Sequence, residues 1–154
     1  MAFAIFQNSQ NEELQRYVSD EVFASKEEAL EIIKKLRSCY QCQSGPFVYA
    51  LLLKESRVNI GYVQLIKLDE QNWEVGYSIA PVYRSHGYAT EALSAYLGYI
   101  RQNLNIVNLW GLCHPDNIAS HKVLLKTGFV LQETGLMKFQ GKIQKVKKFR
   151  WFKG

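Results

Sequence analysis

The chain predicts an α/β domain with a mixed, mainly antiparallel central sheet flanked by helices, and three observations carry that reading. Apolar residues recur at helical spacing around 26–40 and 88–103, while runs with a period of two lie between and after these stretches. No repeat, low-complexity tract or Pro/Gly/Ser-rich linker divides the 154 residues, so one domain over 1–154 is expected. With 47% apolar and 21% charged residues, the chain has enough apolar material for a core of its own. The longest mainly apolar run, Phe47 to Leu53, is far short of the roughly 20 residues that cross a bilayer, so no membrane partner is expected. The start has no basic residue ahead of its apolar stretch, and the expectation is a soluble, cytoplasmic protein.

A first helix is expected within Ala2–Val18. Ser25-Lys26-Glu27-Glu28 is a capping box, and Ala29, Ile32, Ile33, Leu36 and Tyr40 continue it as a helix from about Lys26 to Tyr40. Gly45-Pro46 breaks the pattern; Phe47–Lys54 and Val58–Leu68 then read as strands joined at Glu55-Ser56-Arg57. Gly61, inside the second strand, marks a bulge or a close backbone approach. Trp73, Val75, Tyr77 and Ile79 alternate with Glu74, Gly76 and Ser78, giving a third strand that ends at Ala80-Pro81. Ala89, Ala92, Leu93, Tyr96, Leu97 and Ile100 place an amphipathic helix at about Tyr88–Asn103. A short strand over Val107–Cys113 follows, then a helix capped by Asp116 or Asn117 and ended by Thr127-Gly128. Phe129–Glu133 and two further strands around Gln140-Gly141 complete the order.

Nineteen basic and fourteen acidic residues give a net charge of +5, but seven of the cations and no acid fall in Gly135–Gly154. Interleaved with Phe139, Phe149, Trp151 and Phe152, this tail suits either an anionic partner or a terminal hairpin with aromatics facing in and lysines facing water; the alternation favours the hairpin. Three cysteines fit a reducing compartment, and Cys39-x-x-Cys42 has neither a second pair nor a histidine pair to complete a metal site, so no metal is expected.

Arg84-Ser85-His86-Gly87-Tyr88-Ala89 lies between the third strand and the helix that follows. A loop entering a helix leaves backbone N–H groups unpaired at the positive end of the helix dipole, a setting for phosphate oxygens or for no more than a tight turn. Gly87 and Ala89 permit close approach of a diphosphate, and Arg84 supplies a charge. The loop has neither the Gly-Lys-Ser/Thr of a Walker loop nor the three glycines of a dinucleotide fingerprint.

Pro81-x-x-Arg84-x-x-Gly87-x-Ala89 after Glu74-Val75-Gly76-Tyr77, followed by Asn117-x-x-Ser120 and Lys126-Thr127-Gly128-Phe129, resembles the GCN5-related N-acetyltransferases (GNAT), in particular the branch acting on ribosomal-protein N-termini. The resemblance runs from about Phe3 to Trp151 and implies the acyl-CoA N-acyltransferase fold with acetyl-CoA as donor. By that likeness Ile79, Ala80 and Pro81 hold the pantetheine arm through their main chain. Arg84, Ser85, His86, Gly87, Tyr88, Ala89 and Thr90 cradle the pyrophosphate. Relatives begin with a strand that Ala4-Ile5-Phe6 does not match, so the first strand is expected to be missing, leaving a sheet edge near Phe47–Lys54 open to pairing in a homodimer.

Acetyl transfer from a thioester to an amine requires that the amine lose a proton, that the oxyanion be stabilised and that the departing thiolate be protonated. Glu74, mid-strand, is the candidate base, directly or through water, against the alternative of a structural carboxylate. Many members of the family carry a tyrosine acid where this chain has Leu124; the resemblance to the ribosomal-protein branch makes Ser120 the candidate acid, with Asn117 binding the cofactor. The alternative is that Asn117 and Ser120 only cap their helix. His86 and His114 read as solvated loop residues, and Trp73 and Tyr83 as packing. The expected acceptor is a small amine or a protein N-terminus. The competing reading is a non-catalytic module whose basic hairpin binds nucleic acid or an acidic protein, nucleic acid being the less expected partner.

Overall fold

The computed structural model describes residues 2–10, 12, 23–41 and 45–153. Helix α1 (Ala2–Ser9) lies within the stretch expected to be helical, and α2 spans Lys26–Cys39. Half of the capping box forms as expected: the Glu28 amide donates to Ser25 Oγ at 3.1 Å, while Glu28 Oε2 accepts from the amide of Ala24, one residue before the cap. Strands β1 (Phe47–Leu52), β2 (Asn59–Lys67) and β3 (Asn72–Ile79) form an antiparallel meander. A short 3-10 turn at Pro81–Tyr83 leads into α3 (Tyr88–Asn103). Strand β4 (Asn108–Cys113), helix α4 (Ile118–Lys126) and the hairpin β5 (Phe129–Phe139) and β6 (Lys142–Trp151) follow.

The sheet order is β1-β2-β3-β4-β6-β5, with one parallel pair, β3 and β4, and the rest antiparallel. The parallel pair arises because α3 is a crossover between its two strands; hairpin turns join β1 to β2, β2 to β3 and β5 to β6, whereas α4 and β5 lie between β4 and its antiparallel neighbour β6. Among the described residues β1 has no partner on its outer edge.

One expectation is corrected. Phe129–Glu133 is not a separate strand: β5 runs unbroken to Phe139, and a bulge between Leu131 and Glu133 absorbs the irregularity. The extra residue bends the strand without ending it. Gly61 combines both expected features. The β1–β2 register shifts opposite it, and a Cβ there would lie 1.9 Å from the Ser78 carbonyl oxygen, so only glycine lets β2 and β3 approach this closely.

The core lies on one face of the sheet. Leu65, Leu93, Ile100, Leu109, Leu124, Phe129 and Phe149 are almost fully buried where α3 and α4 pack on the strands. On the other face the α2 side chains Ile32, Ile33 and Leu36 are half-buried, and a cleft of about 860 Å³ separates α2 from β1 and β2. No described helix is long and apolar enough to cross a membrane.

Candidate active site

Strands β3 and β4 pair only from Asn72↔Asn108 to Val75↔Gly111; beyond Val75, β3 remains paired with β2 alone. The sheet therefore splits between its parallel strands. The Ala80 amide donates to the Ile60 carbonyl at 2.8 Å on the β2 side, so backbone alternation turns the amide groups of Tyr77 and Ile79 to the split edge. The Ala80 N–H is thus used within the sheet. Arg84 Nε donates to the Ile79 carbonyl oxygen at 2.9 Å, so the guanidinium ties the loop to the strand end as well as bringing charge there.

At the head of the split, Ser85 and Gly87 both adopt left-handed backbone, with φ of 63° and 83°. Gly87 is the N-cap of α3, and no side chain caps this end. Its carbonyl accepts from the Glu91 amide at 3.0 Å, leaving the first-turn N–H groups of Tyr88, Ala89 and Thr90 directed outward. A Cβ built on Gly87 meets nothing within 4 Å, so the space before the helix is open to a bulky anion. His86 is turned into its own loop, with Nδ1 2.6 Å from the Arg84 carbonyl oxygen and the ring stacked on Tyr88. The residues present fit a diphosphate joined to an extended arm lying along the split.

A cavity of about 340 Å³ opens at the split and takes walls from both sheet faces. Glu74, Gln64 and Ile66 come from the α2 side, Tyr77 and Ser120 from the α3/α4 side, and the hairpin tip 138–141 forms the roof. The tip reaches so far because β6 pairs with β4 only from Lys147 to Trp151, leaving the distal hairpin to extend past the end of β4. Glu74 on β3 and Ser120 on α4, with α3 and β4 between them in sequence, thus meet in one cavity. Gln64 and Ile66 also line the larger cleft, so the two spaces adjoin.

Asn117 is the cap of α4: its Oδ1 accepts from the Ser120 amide at 3.0 Å. Of the expected alternatives, Asp116 is not the cap. The Ser120 hydroxyl lies 2.9 Å from Tyr77 Oη, which also donates to the Ser120 carbonyl at 3.1 Å. Burial raises the Tyr77 phenol well above its ordinary value, so it stays protonated across the working range. Tyr77 was not legible as a site residue, because it shares the alternation of the core residues Val75 and Ile79; only its place past the last β3–β4 pair sets it apart. Cys113 also lines the cavity, its thiol pushed up to about 11 by burial and hence neutral.

Trp73 stacks on Phe47 and packs against the core, as expected. His114 differs from expectation, since it lines the cavity and its Nδ1 accepts from the Asp116 amide at 3.2 Å. Cys42 lies outside the described residues; Cys39 is half-buried and free, and no cluster of metal-binding groups occurs among the described residues. In the terminal hairpin Phe149 and Trp151 face the core, but Phe152 is 52% exposed, a departure from the expected inward aromatics.

Residues 2–130 match the family model of the acetyltransferase (GNAT) domain. The uncharacterized N-acetyltransferase YoaA of Bacillus subtilis (strain 168) is 30% identical over 139 residues, covering 89% of this chain and 77% of that protein. A GNAT-family acetyltransferase from Bacillus anthracis superposes with a TM-score of 0.83 at 18% identity, covering 99% of this chain and 89% of that one. RimL, a ribosomal L7/L12 alpha-N-protein acetyltransferase solved with coenzyme A, superposes with a TM-score of 0.81 at 17% identity, covering 97% and 86%. The fold, the split sheet and the family match agree: this chain belongs to the GNAT family of N-acetyltransferases, whose acetyl donor is acetyl-CoA.

Proposed function

We propose that the chain transfers an acetyl group directly to the primary amine of a protein N-terminus or a small molecule, with Glu74 as base and Ser120 as acid. The observation that carries this reading is the convergence of Glu74 and Ser120 in one cavity at the split between β3 and β4. Acetyl-CoA supplies a thioester. The uncapped N-terminus of α3, Gly87 and the left-handed Ser85 hold its diphosphate, with His86, Tyr88, Ala89 and Thr90 forming the rest of the cradle and Arg84 bracing it. The split edge of β3, through Tyr77 and Ile79 and on to Pro81, pairs with the pantetheine arm. Asn117 fixes the first turn of α4 and so the position of Ser120.

Glu74 takes the proton of the attacking ammonium, directly or through water. Ser120 gives a proton to the leaving sulfur, and Tyr77 positions it: the phenol donates to the Ser120 carbonyl and its oxygen sits 2.9 Å from the Ser120 hydroxyl, which holds that hydroxyl at the cavity wall. RimL, which acts on a protein N-terminus by its name, supports the acceptor class.

Calorimetric titration with acetyl-CoA, paired with thiol release in the presence of amines, tests this reading. One-to-one binding is expected, weakened about 30-fold or more in Gly87→Trp by loss of the helix-terminus contacts. Turnover in Glu74→Gln should fall by about 10²-fold or more with cofactor affinity retained. Binding without thiol release on any amine, or unchanged turnover in Glu74→Gln, would refute it.

A further inference from the structure

The seven cations of the terminal stretch do not act as one patch. Lys147 contacts His121 on the α4 side at 3.3 Å, alternation puts Lys145 on that same face, and Lys153 donates to the Leu104 carbonyl at 3.3 Å. Lys148 and Arg150 point the other way, to the face that carries Glu74. The register runs Glu74↔Trp110↔Arg150 across three adjacent strands, so these side chains form one row.

The row is organised around Trp110. Its indole Nε1 donates to Asn72 Oδ1 at 2.8 Å, which fixes the ring. Lys148 Nζ lies 4.2 Å from its centroid, and the Arg150 guanidinium lies 5.6 Å from it and 5.0 Å from that of Phe152. Two cations therefore converge on one ring, and neither Lys148 nor Arg150 has an ion-pair partner among the described residues, although Glu133 is the cross-strand neighbour of Lys148. Arg150 Nη2 is held by Asn108 Oδ1 at 2.7 Å, but its Nε is buried with no acceptor among the described residues. Converged cations and an orphan charged donor are costly in isolation and favourable once an anion arrives.

Resting on the acetyl-transfer reading above, we infer that the acceptor is a peptide N-terminus with an Asp or Glu within its first four residues, whose carboxylate docks on Lys148, Arg150 and Trp110 while its amine meets Glu74. Two strand spacings separate Glu74 from Arg150, about 10 Å, which an extended peptide covers in about three residues. Two aligned cations match one or two carboxylates. A nucleic-acid backbone would engage charges along the whole hairpin, and these are divided between opposite faces.

The test compares two acceptor peptides that differ only by Glu or Gln at the third residue. The expected kcat/KM ratio favours Glu by about tenfold at low salt, the size of one charge-assisted hydrogen bond, and shrinks as salt screens it. In Lys148→Gln/Arg150→Gln the ratio should fall to about one, whereas Arg150→Lys should retain most of it. The N-terminally acetylated Glu peptide, which accepts no acetyl group, should quench tryptophan fluorescence on binding, while its Gln counterpart and an oligothymidylate bind at least tenfold more weakly. Equal ratios in the wild-type protein, or oligothymidylate binding as tight as the acidic peptide, would overturn the inference and leave acetyl transfer intact. Selective binding of the acetylated acidic peptide without turnover would support the docking row and count against acetyl transfer.

Discussion

The two faces of the sheet differ in what they exclude. Toward α3 and α4, large side chains such as Phe129, Phe149 and Leu93 are at most 2% exposed and form a continuous core. Toward α2, the helix and the strands are separated by a cleft, and the side chains on that face include Gln64, Glu74, Trp110, Lys148 and Arg150. A packed face can hold strand positions to a fraction of an ångström, as a catalytic cavity requires. An open face can admit a substrate. The split between β3 and β4 connects the two, which is why Glu74 from one and Ser120 from the other line the same cavity.

That comparison is broken most directly by stability measurements. Phe149→Ala should destabilise the fold by about 3–5 kcal/mol in urea unfolding, as truncation of a fully buried aromatic does. Ile33→Ala on α2, half-buried beside the cleft, should cost only about 1 kcal/mol, since it removes little buried area. Equal losses at the two positions would mean that the α2 face packs as tightly as the other.

A smaller effect sharpens the link across the split. Tyr77→Phe keeps the ring in the core and removes only the hydroxyl that meets Ser120. The turnover number should fall about tenfold, comparable to losing one net hydrogen bond at the proposed acid Ser120, while KM for acetyl-CoA stays within twofold. A structural role alone would lower the melting temperature and leave the pH dependence of kcat unchanged; the orienting role changes the pH profile.

The smallest effect belongs to Cys113, on the packed side of the cavity. Burial raises its thiol from its ordinary value near 9 to about 11, so between these values the unfolded chain has lost the proton that the folded protein keeps. Stability should therefore fall as pH rises through this window, by about 1 kcal/mol at pH 10 from this group. Cys113→Ala should remove that part of the slope, which urea titrations at pH 8 and pH 10 would measure.

Local sequence determined a large part of this molecule. The capping box at Ser25, the alternation over Trp73–Ile79 and the apolar stripe of 88–103 each specify an element within a few residues, because hydrogen-bond geometry and side-chain period act over one or two turns. The loop proposed to hold phosphate was legible for the same reason: Gly87 and the start of α3 are adjacent in the chain. Tertiary structure decided everything that depends on which strands are neighbours. The end of β3–β4 pairing at Val75 opens the split and brings Tyr77 to Ser120, 43 residues away; the cross-strand register aligns Glu74 with Trp110 and Arg150; the long hairpin carries its tip over the cavity. Residue spacing encodes which way a side chain points from its own strand, but the partner it meets is set by the sheet order, a property of the whole fold.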